Sequence, residues 1–149
     1  STRYAYQDFC HPERQIIGYA NERGKRLAAS ILHLLPAAPF QKIMPAKAAE
    51  AIKCFTNAFL VTKVIFANQV YDACQALNIN YDLVKEGISA DSRIGKSHLD
   101  VFKDGYRGVG GFCLPKDLEA LISFARKENA NMELLKTVRR LNKKLMNRR

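Results

Sequence analysis

A cysteine between a glycine-rich loop and a predicted helix is the residue of this sequence most suited to chemistry. Four glycines fall within residues 105–111 (GYRGVGG), and Cys113 follows two positions later. Glycine lets a backbone approach a ligand closely and adopt positive φ. Pro115 is expected to start a helix, which places Cys113 just before a helix N-terminus, where the dipole and Lys116 stabilise a thiolate. Asp117 is expected in the first helical turn, where its simplest role is that of a capping acid.

Two other readings of the same region are less well supported. A dinucleotide fingerprint needs a third glycine, where this chain has Cys113, and an acidic residue about 20 residues further on. The histidines His11, His33 and His98 show no spacing typical of a Cys-His protease. The segment therefore predicts a nucleophilic cysteine beside a ligand-binding loop, with an ordinary buried thiol as the alternative.

The cysteines and the apolar segments limit the classes of protein to which this chain could belong. The chain has four cysteines, Cys10, Cys54, Cys74 and Cys113. None forms a C-x-x-C pair or a zinc pattern, so no metal is expected. No signal peptide is visible, and no uncharged stretch approaches the roughly 20 apolar residues of a membrane span. Reduced thiols in a cytoplasmic protein, without a membrane partner, are the expectation.

The longest predicted element is an apolar helix over residues 45–77, which contain no Gly or Pro after Pro45. Apolar residues lie on most of its sides, so we expect it to be buried on most sides. At 1.5 Å per residue its length would be about 45 Å, which favours the centre of a homodimer interface. Lys53 and Asn57 share one face of it. A buried amine there needs a polar partner, although a snorkelling lysine and a surface asparagine are the simpler reading.

The whole chain is predicted to be mainly α, with one or two short strands. Its 149 residues are about one domain in length, and 48% hydrophobic with 26% charged residues is ordinary for a globular protein. We expect strands at 15–20 and 40–44, and further helices at 21–33, 81–90, 118–127 and 132–147. The long loop before Cys113 is expected to contain no regular structure.

Positive charge is concentrated at the C-terminal end. The net charge is +10, from 24 Lys and Arg against 14 Asp and Glu, and residues 136–149 hold seven basic and no acidic side chains. Such a helix could bind a polyanion. It could equally be a solvated helix end whose cations suit the dipole. Without interleaved aromatic residues, nucleic acid is not favoured as a partner, whereas an anionic ligand is.

Three motifs, in their order and spacing, resemble the UDP-glucose 6-dehydrogenase and GDP-mannose dehydrogenase superfamily. They are residues 49–60 (AEAIKCFTNAFL), 91–95 (DSRIG) and 108–117 (GVGGFCLPKD). Residues 11–18 resemble the last strand of that family's NAD-binding domain. The resemblance implies that residues 1–44 end a Rossmann-like NAD-binding domain and that residues 45–149 form the central helical dimerisation domain.

The resemblance also implies an activity. A nucleotide sugar, with UDP-glucose favoured by residues 97–101, would be oxidised to a uronic acid with two NAD through a thioester on Cys113. Lys53 would stabilise the oxyanion. Asn57 and Asp117 would orient the hydrolytic water, with Asp117 assisting proton transfer. NAD would bind mainly outside these residues, so the chain alone is expected to be inactive.

The resemblance also implies the substrate contacts. Arg93 would reach the substrate bound by the other subunit of the dimer, and the remaining contacts would come from Gly108, Gly110, Gly111 and Lys116. Three departures from the family pattern are visible. Thr2 stands where a glutamate active in thioester hydrolysis is expected, Val109 where an aromatic residue is common, and Phe112 where a smaller residue is common. They predict slower hydrolysis and a reshaped sugar pocket. A helical interaction module without chemistry, or a polyanion-binding protein using the basic helix, are the alternatives.

Overall fold

The computed structural model of the chain describes residues 5–103 and 105–147. Within these ranges the chain is mainly α, as predicted, with six helices and four short strands. The helices are Ala5–Cys10 (α1), Glu22–Leu34 (α2), Ala46–Ala76 (α3), Tyr81–Ala90 (α4), Cys113–Lys127 (α5) and Glu133–Met146 (α6). The strands are Arg14–Tyr19 (β1), Phe40–Pro45 (β2), Phe102–Lys103 (β3) and Tyr106–Arg107 (β4). The chain divides into two compact units between Lys53 and Cys54.

The first unit contains a parallel β1–α2–β2 arrangement. The two strands pair in register from Arg14 opposite Phe40 to Tyr19 opposite Pro45. Parallel strands need a crossover, which α2 supplies. Its N-cap is Asn21, whose side-chain oxygen accepts a 2.8 Å hydrogen bond from the Gly24 amide. Both strands and the helix lie within two residues of their predicted positions.

The long helix α3 spans 31 residues, close to the predicted range 45–77. Its buried residues are Ala58, Val61, Val64, Ile65, Ala67, Asn68 and Cys74. The side chains of Phe55, Phe59 and Phe66 are instead 51–66% exposed. Burial on most sides is therefore wrong for a single chain: one side of α3 is enclosed, and a row of phenylalanines is left at the surface.

The core of the second unit lies between α3, α5 and α6. Apolar side chains from the three helices form one cluster, of Ala58, Val61, Val64, Ile65, Val109, Leu118, Leu121, Ile122 and Val138. A second cluster joins α3 to α4 and the segment before β3, where the Tyr81 hydroxyl donates a 2.6 Å hydrogen bond to the Leu99 carbonyl. These contacts position the glycine loop, because Val109 is itself a core residue.

Two details near the loop differ from the prediction. β3 and β4 form a short antiparallel hairpin, with Phe102 opposite Arg107, inside the segment expected to be irregular. In addition, α5 begins at Cys113, earlier than its apolar pattern indicated. Pro115 is its third residue, a position that a helix tolerates because the first-turn amides have no intrahelical acceptor.

Candidate active site

The glycine loop leads from β4 to α5 along an open cavity of about 430 Å³. The loop backbone lines the cavity, together with His98, Lys103 and Tyr106. Gly108 has φ +86° and Gly111 has φ +74°, both in the left-handed region that glycine adopts without strain. The expected close approach of backbone to a bound molecule is therefore possible at this loop.

Cys113 lies exposed at the end of this loop as the first residue of α5. The prediction placed it just before the helix, and it is instead the first helical residue, with Phe112 as N-cap. Both positions set the sulfur beside the amide groups that have no intrahelical acceptor. Phe112 is 77% exposed, so its ring lies at the surface and not in the core.

Asp117 is a buried carboxylate held by two side chains. It is 4% exposed, its Oδ2 accepts a 2.6 Å hydrogen bond from Asn57 Nδ2, and its Oδ1 lies 2.7 Å from Lys116 Nζ. The hydrogen bond to Asp117, and then its negative charge, raise the pKa of Lys116, with smaller contributions from Cys113 and Cys54. Asn57 and Asp117, 60 residues apart, are thus brought together.

The expected place of Asp117 in the first turn is wrong. It is the fifth residue of α5 and lies in the second turn, because the helix starts at Cys113. Its side chain is among the buried residues of α5, together with Leu118, Leu121, Ile122 and Ala125. Asp117 is therefore a core-facing acid one turn from the thiol, not a cap.

Lys53 is the last residue of the first unit, and its side chain is exposed. The expectation of a buried amine is wrong, because the enclosed positions of α3 begin only at Ala58. An exposed lysine keeps its hydration and does not need the polar partner that a buried one would.

Arg93 lies just after α4 and binds Asp91 within the same turn. Its Nη2 is 2.6 Å from Asp91 Oδ2, its Nε donates to both carboxylate oxygens, and its backbone amide donates to Oδ1 at 2.9 Å. These hydrogen bonds from Arg93 hold the pKa of Asp91 below its usual value. The Arg93 side chain is 87% exposed, so within this chain its guanidinium faces solvent.

Sequence reasoning missed the two residues that hold the glycine loop. Arg107 is bonded to Asn68 of α3, through Nε to the side-chain oxygen at 2.9 Å and through Nη2 to the carbonyl at 3.0 Å. Asn142 of α6 makes two hydrogen bonds to the main chain of Val109. The available signal was an asparagine at an apolar position of a helix, where burial requires a polar partner.

Two titratable groups near the loop have shifted pKa values. Burial lowers the pKa of His98, and the charges of Lys63 and Lys103 lower it further. Burial alone would raise the pKa of Glu119, but hydrogen bonds and charge from Arg139 and Lys143 together outweigh it and hold the pKa below its usual value.

The basic helix α6 lies close to its predicted range and is partly neutralised. Lys136 pairs with Glu133, and Arg139 and Lys143 both pair with Glu119. Three of its cations therefore already have anionic partners within the chain. The last two basic residues of the tail, and Thr2, lie outside the described residues.

Neither a membrane helix nor a metal cluster is found in the described part of the chain. Over residues 5–103 and 105–147, no helix combines the length and apolar character needed to cross a bilayer. In the same ranges, no three His, Cys, Asp or Glu side chains come together as metal ligands would. The site described here is thus built from a thiol, a carboxylate, an amide and cations.

The family of this helical domain, with its cysteine at the end of a glycine loop, follows from comparison with known proteins. Residues 47–144 match the model of the UDP-glucose/GDP-mannose dehydrogenase family, central domain. The chain belongs to this family, which confirms the resemblance carried by its three motifs.

Individual relatives agree with the family assignment. The chain is 32% identical over 139 residues to a UDP-glucose 6-dehydrogenase of Rickettsia conorii, covering 93% of this chain and 31% of the relative. It is 34% identical over 138 residues to YwqF, a UDP-glucose 6-dehydrogenase of Bacillus subtilis, covering 93% and 30%. A UDP-glucose dehydrogenase structure from Pyrobaculum islandicum superposes with a TM-score of 0.80 at 32% identity, covering 93% and 31%. The chain spans about a third of these relatives' length.

Proposed function

We propose that this chain is the central domain of an NAD-dependent UDP-glucose 6-dehydrogenase, or of an enzyme acting on a related nucleotide sugar, with Cys113 as its covalent nucleophile. The observation that carries the proposal is the exposed thiol of Cys113 at the junction of the glycine loop and α5, one turn from the buried Asp117. Relatives that match this chain over about a third of their own length are named UDP-glucose dehydrogenases, which supports the proposal.

NAD, when bound, supplies the oxidant by accepting one hydride at each of two oxidation steps. Cys113 attacks the aldehyde that the first step leaves, and its sulfur forms a bond to the carbonyl carbon while the carbonyl oxygen becomes an alkoxide. The family resemblance assigns the stabilisation of that oxygen to Lys53, whose ammonium would offset the negative charge. After the second oxidation the carbon is held as a thioester, which water cleaves to a carboxylate and the free thiol.

Asn57 and Asp117 orient the water that cleaves the thioester, and Asp117 assists the transfer of its proton. The 2.6 Å hydrogen bond from Asn57 supports this role, because it fixes the direction of one carboxylate oxygen. Gly108, Gly110 and Gly111 approach the sugar with their backbone. Lys116 and, from the partner subunit, Arg93 complete the substrate contacts.

The NAD site would lie mostly outside this chain. We assign residues 1–44 to the end of the NAD-binding domain and residues 45–149 to the central domain. A parallel strand–helix–strand unit is the building block of dinucleotide-binding sheets, and β1, α2 and β2 form such a unit. Among the described residues of α2 only Ala28 is buried, which suits an element that packs against further sheet.

We also propose a homodimer formed through α3, in a cytoplasmic protein whose cysteines stay reduced. Phe55, Phe59 and Phe66 are spaced so that they share one side of the helix, and all three are more than half exposed. Burying this row against a second copy would remove it from water. Light scattering should give twice the mass of one polypeptide, and a concentration-independent monomer mass would contradict the dimer.

The catalytic assignment is tested with the polypeptide that carries this chain together with the sequence flanking it in its gene. Cys113→Ser should abolish formation of the uronic acid from UDP-glucose and NAD. Cys10→Ser, a half-buried cysteine of the first unit, serves as the matched control and should leave the rate unchanged. Full turnover by Cys113→Ser would remove the nucleophile assignment, whereas a parental polypeptide that forms no uronic acid would favour the helical module without chemistry.

A further inference from the structure

We propose that Asn142 of α6 is a positioning residue for the active site, because its side-chain amide holds both main-chain polar groups of Val109 in the glycine loop. The proposal rests on the proposed function, since it concerns the loop that carries Cys113. Asn142 acts through Val109, four residues before Cys113 in the chain.

The two hydrogen bonds of Asn142 are complementary. Its Oδ1 accepts from the Val109 amide at 2.7 Å, and its Nδ2 donates to the Val109 carbonyl at 2.9 Å. Asn142 is 8% exposed and Val109 7%, so water does not compete for these groups. A carboxamide is the side chain that offers a donor and an acceptor side by side, which aspartate and alanine do not.

The space beside Asn142 is shaped for a glycine. A Cβ added at Gly108 would lie 2.8 Å from Asn142 Oδ1 and 3.2 Å from the Leu145 side chain. Gly108 has φ +86°, which lets the chain turn so that the next residue, Val109, presents both main-chain groups to α6. The turn at Gly108 and the amide of Asn142 therefore form one closely fitted arrangement.

A second attachment fixes the other side of Gly108. Arg107 is tied to α3 through Asn68 and through a 2.8 Å ion pair with Asp72. Residues 107 and 109 are thus held by two different helices, and only Gly110, Gly111 and Phe112 separate Val109 from Cys113. Without the hydrogen bonds from α6, the loop would keep only the polar attachment of Arg107 to α3. The residues between Arg107 and Cys113 could then shift.

The expected effect on catalysis follows from geometry. A misplacement of about 1 Å between reacting groups can lower a rate about 100-fold. We therefore expect Asn142→Ala to lower kcat by between about tenfold and 100-fold, expressed per folded enzyme.

The test uses the flanked polypeptide defined above, with Asn147→Ala as control. Asn147 is an exposed asparagine just after the same helix, and its replacement should leave kcat unchanged. Melting curves establish that each variant is folded at the assay temperature. Parental kcat in a folded Asn142→Ala enzyme would overturn the proposal.

A readout that does not need activity separates this proposal from the proposed function. Amide hydrogen exchange at Val109 should accelerate at least about tenfold in Asn142→Ala, because the Val109 amide loses the side-chain oxygen that accepts its hydrogen bond, while core amides such as that of Val61 stay protected. Equal acceleration at both positions would indicate general loosening and overturn the positioning role. If Cys113→Ser remains active but the Val109 exchange changes selectively, the proposed function fails and the attachment by Asn142 stands.

Discussion

The contact between Asn57 and Asp117 gives the sharpest test of how the site is held. Asn57→Ala removes the donor of a 2.6 Å hydrogen bond to a carboxylate that is 4% exposed. A hydrogen bond to a charged group contributes about 1.5–3 kcal/mol, and a buried acceptor that loses its donor bears the cost of desolvation. We expect the free energy of unfolding to fall by about 2 kcal/mol, roughly a 30-fold change in the folded-to-unfolded ratio.

The measurement is urea denaturation followed by far-ultraviolet circular dichroism, since the chain has no tryptophan. Asn147→Ala, an exposed asparagine, should change the free energy of unfolding by less than about 0.5 kcal/mol. A double-mutant cycle with Asp117→Ala, which removes the acceptor, isolates the pair, and coupling of about 1 kcal/mol or more is expected. A loss below about 0.5 kcal/mol in Asn57→Ala, or additive single effects, would refute the reasoning.

Three further predictions concern the loop and its surroundings. Gly108→Ala should destabilise the chain by about 1–3 kcal/mol more than Gly105→Ala, because both have positive φ but only the former meets Asn142; equal melting temperatures would contradict this. His98 has a pKa below its ordinary 6.5, so the unfolded chain binds its proton more readily and stability should fall as pH drops through about 6.5. His98 has φ +63°, a conformation that asparagine tolerates. In His98→Asn the loss of stability between pH 7.5 and pH 5.5, measured from melting curves, should therefore be smaller than in the parent. Glu119 has a pKa below its ordinary 4.5, so its contribution is present above that pH and is lost as pH falls through the folded-state value. Glu119→Gln should therefore lower the melting temperature most near pH 7. The loss of stability should stay below about 1 kcal/mol, because the Glu119 side chain is 43% exposed. A difference from the parent that grows in acid would have the wrong sign.

Local patterns predicted the elements well because each signal is short-range. An apolar stretch without Gly or Pro is enough for α3, and a parallel strand–helix–strand unit follows from two short apolar runs around an amphipathic helix. The start of α5 was missed, since the first helical turn carries no apolar repeat and Pro115 is compatible with several positions within it. One shifted helix start moved Asp117 from a cap to the core.

The residue types alone determined that this protein is mainly α, that it carries a glycine loop ending in a cysteine, and to which family it belongs. Only the tertiary structure decided which polar residues meet: Asn57 with Asp117, Asn68 with Arg107, and Asn142 with Val109. Those pairs lie 33 to 60 residues apart in the chain. A buried amide or carboxylate must find a partner wherever the packing of apolar helix faces happens to bring one. That choice depends on the whole core, and no local spacing records it.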